Sequence, residues 1–138
     1  MCCNITSGLE FMHENKFIHT DLAARNCLVG PDLTIKIGDY GNSIEIFKSD
    51  YYCAGSVALP VRWCAPETLK CTDVTIETKE VTPLANVWTL GVVIWEICEF
   101  CKLPYSELND DQVIVKVLGE KNYFLQKPKM FCLHKDEL

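Results

Sequence analysis

Three oxygen-bearing side chains in this sequence could do chemistry together. Asp21 precedes Asn26 in one polar stretch, and Asp39 follows a short segment of β-prone residues. A carboxylate can accept a proton from a hydroxyl group, and carboxylate and amide oxygens are suitable ligands for a divalent cation. Taken one at a time, such residues are more often helix caps or surface residues. Only the motifs around them can assign them a function.

The three residues belong to short motifs that follow one another in a fixed order. The motifs are His19-Thr20-Asp21-Leu22 with Asn26, then Asp39-Tyr40-Gly41, then Ala65-Pro66-Glu67. Together they resemble the catalytic loop, the metal-binding loop and the end of the activation segment of protein kinases.

The resemblance implies phosphoryl transfer from ATP, with Mg²⁺, to a protein substrate. Positioning and charge neutralisation do most of the catalysis in this reaction. Asp21 would accept the proton of the substrate hydroxyl, and Arg25 would face the substrate beside it. Asn26 and Asp39 would bind the metal ions that bridge the phosphates. A hairpin between them would fold these two residues back beside one another.

Further motifs narrow the resemblance to tyrosine kinases. Residues 21–26, Asp-Leu-Ala-Ala-Arg-Asn, match their catalytic loop, and Pro60, Arg62 and Trp63 match their substrate-binding segment. Residues 88–96 resemble the buried central helix of the large lobe. The chain is most similar to the lemur-type tyrosine kinases, which share the residue types at Thr20, Tyr40 and Asn86.

The resemblance assigns structural roles to His19, Gly41, Glu67 and Asn86. Asn86 replaces an aspartate whose carboxylate receives backbone N–H groups of the catalytic loop. An amide oxygen can still accept one, and the loss of a charge-assisted bond costs roughly 1 kcal/mol. The arginine that pairs with the glutamate matching Glu67 in the family is absent from this sequence.

Tyr51 and Tyr52 lie where tyrosine kinases often carry their own phosphorylation sites. The alternative is that both are exposed loop tyrosines. Thr20 stands where the family has an arginine that clamps the phosphorylated segment, and it cannot form that charge-assisted fork. We therefore expect phosphorylation to change the rate of the intact kinase by less than about tenfold.

The element pattern predicts a mainly helical fold. Periodic apolar residues indicate a helix over 4–16, and β-prone runs around a Gly-Pro-Asp turn indicate a hairpin at about 27–37. Residues 38–62 are predicted to be irregular and 72–82 to form a surface loop. The apolar segment 84–100 is predicted to be a helix surrounded by protein. Asn109 is predicted to cap a helix from 110 to about 119, and a short helix opens at Pro66.

These elements correspond to the large, C-terminal lobe of a protein-kinase-like fold with a short β-hairpin, truncated at both ends. Residues 1–138 would form one partial kinase domain, without the Gly-rich loop, the ATP lobe and the last helices. The fragment alone is expected to be inactive and to need the ATP lobe to bind ATP. The alternative is a kinase-like pseudoenzyme that serves as a protein-interaction module.

Composition excludes some functions. A net charge of −6 argues against nucleic acid binding, and the longest uncharged run, residues 81–95, is shorter than a bilayer requires. The sequon at Asn4 and the terminal Lys135–Leu138 suggest the endoplasmic reticulum, but the chain begins with no signal peptide. We expect the terminal tetrapeptide to be coincidental. The expected location is the cytoplasmic face, where the chain could be part of a membrane-anchored parent protein.

The sequence contains nine cysteines. Cys98 and Cys101 form a CxxC motif, but no second motif stands at zinc spacing. Free thiols in a reducing compartment are the favoured interpretation.

Overall fold

The computed structural model describes residues 1–38, 43–71 and 75–129. The helices in these ranges are α1 (Cys2–Glu14), α2 (Ser43–Ile46), α3 (Pro83–Cys98) and α4 (Asp110–Val113), which continues as a π-helical segment (Ile114–Gly119). The strands are β1 (Cys27–Val29), β2 (Ile35–Ile37), β3 (Tyr52–Ala54), β4 (Val57–Leu59), β5 (Leu69–Cys71) and β6 (Ile76–Thr78). Short 3₁₀ turns cover Ala24–Asn26, Lys48–Asp50 and Pro66–Thr68. The Asp39-Tyr40-Gly41 motif and Lys135–Leu138 lie outside the described residues.

Helix α1 and the first hairpin form the support of the catalytic loop, and both were predicted. The helix buries Ile5 and Leu9, which lie one turn apart. Strands β1 and β2 pair antiparallel with Cys27 opposite Ile37. The pairing continues one step further, because the N–H of Gly38 donates to the carbonyl of Asn26 at 2.9 Å.

Two further hairpins lie partly within the irregular segment predicted at 38–62 and the surface loop predicted at 72–82. Strands β3 and β4 pair with Tyr52 opposite Leu59, and β5 and β6 pair with Leu69 opposite Thr78. The turn between β3 and β4 places Gly55 at φ 64°, a conformation that glycine adopts without steric cost. The prediction of irregular structure was wrong for residues 52–59, and the segment predicted as a surface loop contains strand β6; the strands of both hairpins are only three residues long.

Helix α3 begins at Pro83, where the side chain of Thr82 accepts a hydrogen bond from the N–H of Ala85 at 3.3 Å. One side of the helix is buried, including Val92 and Val93. The opposite side is open, with Leu84 76% and Val87 60% exposed. The prediction of a helix surrounded by protein was therefore wrong for this face. Of the residues expected in the core, only Val92 is fully buried, while Trp88, Leu90, Ile94 and Trp95 are half-buried.

Helix α4 begins with the predicted cap at Asn109. The side chain of Asn109 accepts from the N–H of Gln112 at 2.8 Å, and the Gln112 side chain accepts from the N–H of Asn109 at 3.0 Å. This reciprocal pair is a capping box. The buried side of α4 and its π-helical continuation packs against Leu59, Val61 and Leu69, which fixes the end of the activation segment on this helix.

Candidate active site

The loop that carries Asp21 is held by two consecutive side chains that are buried in different parts of the core. Leu22 packs in a cluster with Ile5, Leu9, Ile35 and Val93. Ala23 packs in a second cluster with Trp63 and Val92. Because neighbouring residues are buried in different clusters, the backbone between them cannot rotate without breaking core contacts.

Helix α3 also holds the loop through two buried polar side chains. Asn86 accepts from the N–H of His19 at 3.2 Å and donates to its carbonyl at 2.7 Å. Glu96 accepts from the N–H of Ala24 at 3.0 Å and from the indole N–H of Trp63 at 2.8 Å. Burial raises the pKa of the Glu96 carboxyl, and its two hydrogen bonds oppose that shift.

The ring of His19 is hydrogen-bonded both to the catalytic loop at Asp21 and to the end of strand β2 at Gly38. The N–H of Asp21 donates to Nδ1 of His19 at 3.1 Å, so in the neutral ring the proton is on Nε2. Nε2 in turn donates to the carbonyl of Gly38 at 3.2 Å. The buried ring therefore joins the backbone at Asp21 to the backbone just before Asp39.

Asp21 and Asn26 lie in direct contact. Nδ2 of Asn26 donates to the backbone carbonyl of Asp21 at 2.7 Å and to its Oδ2 at 3.1 Å. Asn26 is fully buried, and its Oδ1 accepts from the hydroxyl of Ser43 at 2.6 Å. Asp39, the other predicted metal ligand, and Gly41 lie outside the described residues. The residue before Asp39 is nevertheless hydrogen-bonded to Asn26 through the hairpin.

The phenol group of Tyr51 is hydrogen-bonded to the carboxylate of Asp21. The hydroxyl of Tyr51 donates to Oδ2 of Asp21 at 2.6 Å and accepts from Nε of Arg25 at 3.0 Å. Tyr51 is 6% exposed, so the interpretation of an exposed loop tyrosine was wrong for this residue. Burial and the Asp21 contact raise its pKa to about 12. Its neighbour Tyr52 is half-buried in β3.

Arg25 is the centre of a charged cluster. One guanidinium nitrogen contacts Oδ1 of Asp21, and another lies 3.4 Å from Oδ2 of Asp50. The guanidinium carbon lies 4.3 Å from the ring centroid of Trp63 and 4.6 Å from that of Tyr51. Arg25 therefore contacts Tyr51 in the position where a substrate contact was predicted.

Arg62 and Pro60, both predicted in the substrate-binding segment, have different surroundings. Arg62 is buried and donates to the carbonyls of Pro104, Tyr105 and Leu108 at 2.8–2.9 Å. It also forms an ion pair with Asp110 at 2.7 Å. These contacts join the activation segment to the start of α4. Pro60, in contrast, faces the cavity described next.

A cavity of about 320 Å³ opens beside Asp21. Its lining includes Thr20, Asp21, Tyr51, Pro60, Leu69 and Lys79. Thr20, for which an arginine was expected from the resemblance, is exposed at its edge. The cavity therefore combines an apolar wall with one carboxylate and one ammonium group. Glu67, assigned a structural role, is exposed on the surface.

Several of these contacts could not be read from motifs. Ser43, Asp50 and the bonding of Glu96 have no signature of their own, because their partners are distant in sequence. Glu96 does stand as a lone acid in the apolar segment 84–98, which was a signal of a buried polar role.

Two other kinds of feature are absent from the described residues. No group of three histidine, cysteine or acidic side chains within 1–38, 43–71 and 75–129 is placed to hold a metal ion. Among the helices in the same ranges, none is sufficiently long and apolar to cross a bilayer.

A loop that presents an aspartate, an arginine and an asparagine from a buried helical support is the arrangement that the motifs predicted for a protein kinase. The sequence profile of the family "Protein tyrosine and serine/threonine kinase" matches residues 1–135. The chain belongs to this family, and the resemblance inferred from the motifs is confirmed.

The chain is similar to curated proteins of two groups. It is 40% identical to "Serine/threonine-protein kinase LMTK1" of Homo sapiens, over 94% of this chain and 10% of that protein. It is 42% identical to "Insulin-like growth factor 1 receptor" of Bos taurus, over 93% of this chain and 19% of that protein. It is 39% identical to "Putative insulin-like peptide receptor" of Hydra vulgaris, over 99% of this chain and 9% of that protein. The chain thus spans a fifth or less of the length of these relatives.

Proposed function

We propose that the intact protein containing this chain transfers the γ-phosphoryl group of ATP to tyrosine hydroxyls of a protein substrate. This chain would supply the catalytic loop, one side of the metal site and the substrate cavity. The observation that carries the proposal is the contact between the Tyr51 hydroxyl and Oδ2 of Asp21 at 2.6 Å. A substrate hydroxyl must make the same contact to lose its proton to Asp21.

The contact also supports tyrosine as the acceptor. Tyr51 reaches Asp21 from a backbone position that is held by the adjoining 3₁₀ turn and strand β3. A serine at the same backbone position would place its hydroxyl several ångströms away, because its side chain lacks the length of the phenol ring. The name of one relative, LMTK1, gives serine/threonine as its specificity, so it does not support tyrosine as the acceptor.

The residues present fit Mg²⁺ in donor type. Asn26 has an amide oxygen, which in this structure accepts from the hydroxyl of Ser43. Asp39, which would supply a carboxylate, follows Gly38 in sequence, and Gly38 is hydrogen-bonded to Asn26. Hard oxygen ligands of this kind are those that Mg²⁺ prefers. When bound, Mg²⁺ would neutralise charge on the ATP phosphates. Asn26 would exchange the Ser43 hydroxyl for the metal while its Nδ2 keeps Asp21 in place.

The competing candidate, a protein-interaction module without catalysis, also has a specific observation in its favour. Both carboxylate oxygens of Asp21 are engaged, one by Arg25 and the other by Tyr51 and Asn26. For catalysis, Tyr51 must leave so that the substrate hydroxyl can take its place. The thiols of Cys27, Cys98 and Cys101, which form no disulfide, agree with a cytoplasmic, ATP-supplied location for such an enzyme.

The experiment uses the intact protein with γ-labelled ATP, Mg²⁺ and three matched peptides that carry Tyr, Phe or Ser at one central position. We expect label on the Tyr peptide, at a rate at least about a hundredfold above the Ser peptide, and none at the central position of the Phe peptide. The Asp39→Asn variant should abolish the magnesium-dependent transfer. Equal labelling of the Tyr and Ser peptides would contradict tyrosine direction. Absence of transfer to all three, after removal of the Tyr51 block by Tyr51→Phe, would favour the interaction module.

A further inference from the structure

The amide of Asn86 forms a two-way pair with one residue of the catalytic loop. Its Oδ1 receives the N–H of His19 at 3.2 Å, and its Nδ2 donates to the carbonyl of His19 at 2.7 Å. A carboxylate at this position could form the first bond but not the second, since it has no donor at neutral pH. The replacement of aspartate by Asn86 therefore exchanges charge assistance for an additional hydrogen bond.

A third hydrogen bond reaches the same amide from helix α1. Nε2 of His13 lies 3.1 Å from Oδ1 of Asn86, across 73 residues of sequence. Oδ1 can only accept, so His13 must carry its proton on Nε2 and donate. The two donors to Oδ1 and the single bond from Nδ2 leave the amide one orientation, because a flipped amide would face both donors with its N–H groups.

The orientation of this amide is transmitted to the reacting side chain. Asn86 fixes both backbone polar groups of His19, and the ring of His19 receives the N–H of Asp21 at 3.1 Å. We propose that His13 is a positioning residue that acts through Asn86 on the catalytic loop and so on Asp21. Asn86 is 1% exposed, so loss of the His13 donor takes one hydrogen bond from a buried amide oxygen.

The test compares two substitutions of His13 in the intact protein. In His13→Gln the side-chain amide nitrogen lies at the same branch depth as Nε2 and can donate to Asn86. In His13→Asn the nitrogen is one methylene shorter and falls short. Hydrogen exchange is measured by mass spectrometry on peptides covering residues 19–26. The segment 113–118, in which Val113, Ile114, Val117 and Leu118 are buried, is the internal control for global opening.

We expect His13→Asn to speed exchange in residues 19–26 by about threefold to tenfold, the loss of one buried hydrogen bond. His13→Gln should stay within about twofold of the wild type, and the control segment should not change in either variant. Because His13 acts through Asn86, adding His13→Asn to an Asn86→Ala background should have no further effect. The proposal would be overturned by equal exchange in the two His13 variants, by additive effects with Asn86→Ala, or by faster exchange in the control segment.

A kinetic measurement rests in addition on the proposed function. There, His13→Asn should lower kcat severalfold with little change in KM for ATP, and His13→Gln should restore it. If the wild type transfers no phosphoryl group while the exchange pattern is as expected, the proposed function fails and the positioning role stands. A change in KM alone, with kcat unaltered, would contradict the positioning role.

Discussion

Replacing Tyr51 by Phe should activate the unphosphorylated protein. The hydroxyl of Tyr51 is the group that donates to Asp21 and accepts from Arg25, at 2.6 and 3.0 Å. The ring alone packs on the Arg25 guanidinium, whose carbon lies 4.6 Å from its centroid. Tyr51→Phe keeps that packing and removes both hydrogen bonds, so it weakens the blocked conformation with little change in the fold.

The size of the effect follows from the bond to Asp21. A hydrogen bond to a charged group contributes about 1.5–3 kcal/mol. Each 1.4 kcal/mol is a tenfold change in an equilibrium. The ratio of blocked to open molecules should therefore fall by about tenfold to a hundredfold. If most molecules are blocked at the outset, the basal rate should rise by at least about tenfold.

The assay is the initial rate of phosphoryl transfer by phosphatase-treated protein, before any autophosphorylation. The matched control is Tyr52→Phe, which removes the same hydroxyl from the next residue, a half-buried position in β3. That variant should remain within about twofold of the wild type. An unchanged or slower Tyr51→Phe enzyme, or equal activation by both variants, would refute the role of Tyr51 as a block.

This contact also changes the expectation for phosphorylation. From the sequence, the absence of a clamping arginine at Thr20 suggested a change of less than about tenfold. A phosphate on Tyr51 cannot remain beside the Asp21 carboxylate, because two negative groups at hydrogen-bond distance repel. Phosphorylation of Tyr51 should therefore also remove the block, an effect that motif comparison alone did not reveal.

Three other predictions concern the groups around the site. Ionisation of Tyr51 should begin only above pH 10 and centre near its pKa of about 12. The stability that the protonated hydroxyl contributes is therefore complete below pH 10 and lost as the pH rises through 12. Difference spectra of the wild type and Tyr51→Phe at about 295 nm measure the ionisation. Arg62→Met should lower the free energy of unfolding by about 2–4 kcal/mol in urea titrations, because it leaves three carbonyls and Asp110 without their donor. A higher KM for peptide with unchanged stability would instead support a substrate contact. Glu96→Leu should lower the free energy of unfolding by about 2–4 kcal/mol, because it leaves the N–H groups of Ala24 and Trp63 unpaired. Glu96→Gln keeps an acceptor and should stay within about 1 kcal/mol of the wild type. An equal loss of stability in both variants would show that the charge, and not the acceptor, is needed.

Elements with local signals could be predicted from the sequence. The turn around Gly30 and the cap at Asn109 depend on neighbouring residues, and both hairpin and helix form there as expected. A Gly55-Ser56 pair between β-prone runs was also a hairpin signal, and it was missed because each strand is only three residues long. The open face of α3 was not predictable in this way, since a segment that is apolar on every side does not indicate which side is covered.

The site could be predicted only in part. Asp21 and Asn26 are brought together by a single loop, so their proximity follows from their spacing. The bonds from Tyr51 to Asp21 and from His13 to Asn86 join residues 30 and 73 positions apart. Such contacts depend on the path of the whole chain and leave no periodic or motif signal in the sequence.

The central claim is that Asp21 is the proton acceptor of a phosphoryl transfer. The most direct measurement is the single-turnover rate of the intact protein on a tyrosine peptide, in the Tyr51→Phe background with and without Asp21→Asn. Asparagine keeps the size of the side chain and a hydrogen-bond acceptor for Asn26, but it cannot take a proton at neutral pH. A general base contributes about 10²- to 10⁴-fold, and we expect a loss of that size with peptide binding unchanged. A rate within tenfold of the Asp21 enzyme would contradict this assignment.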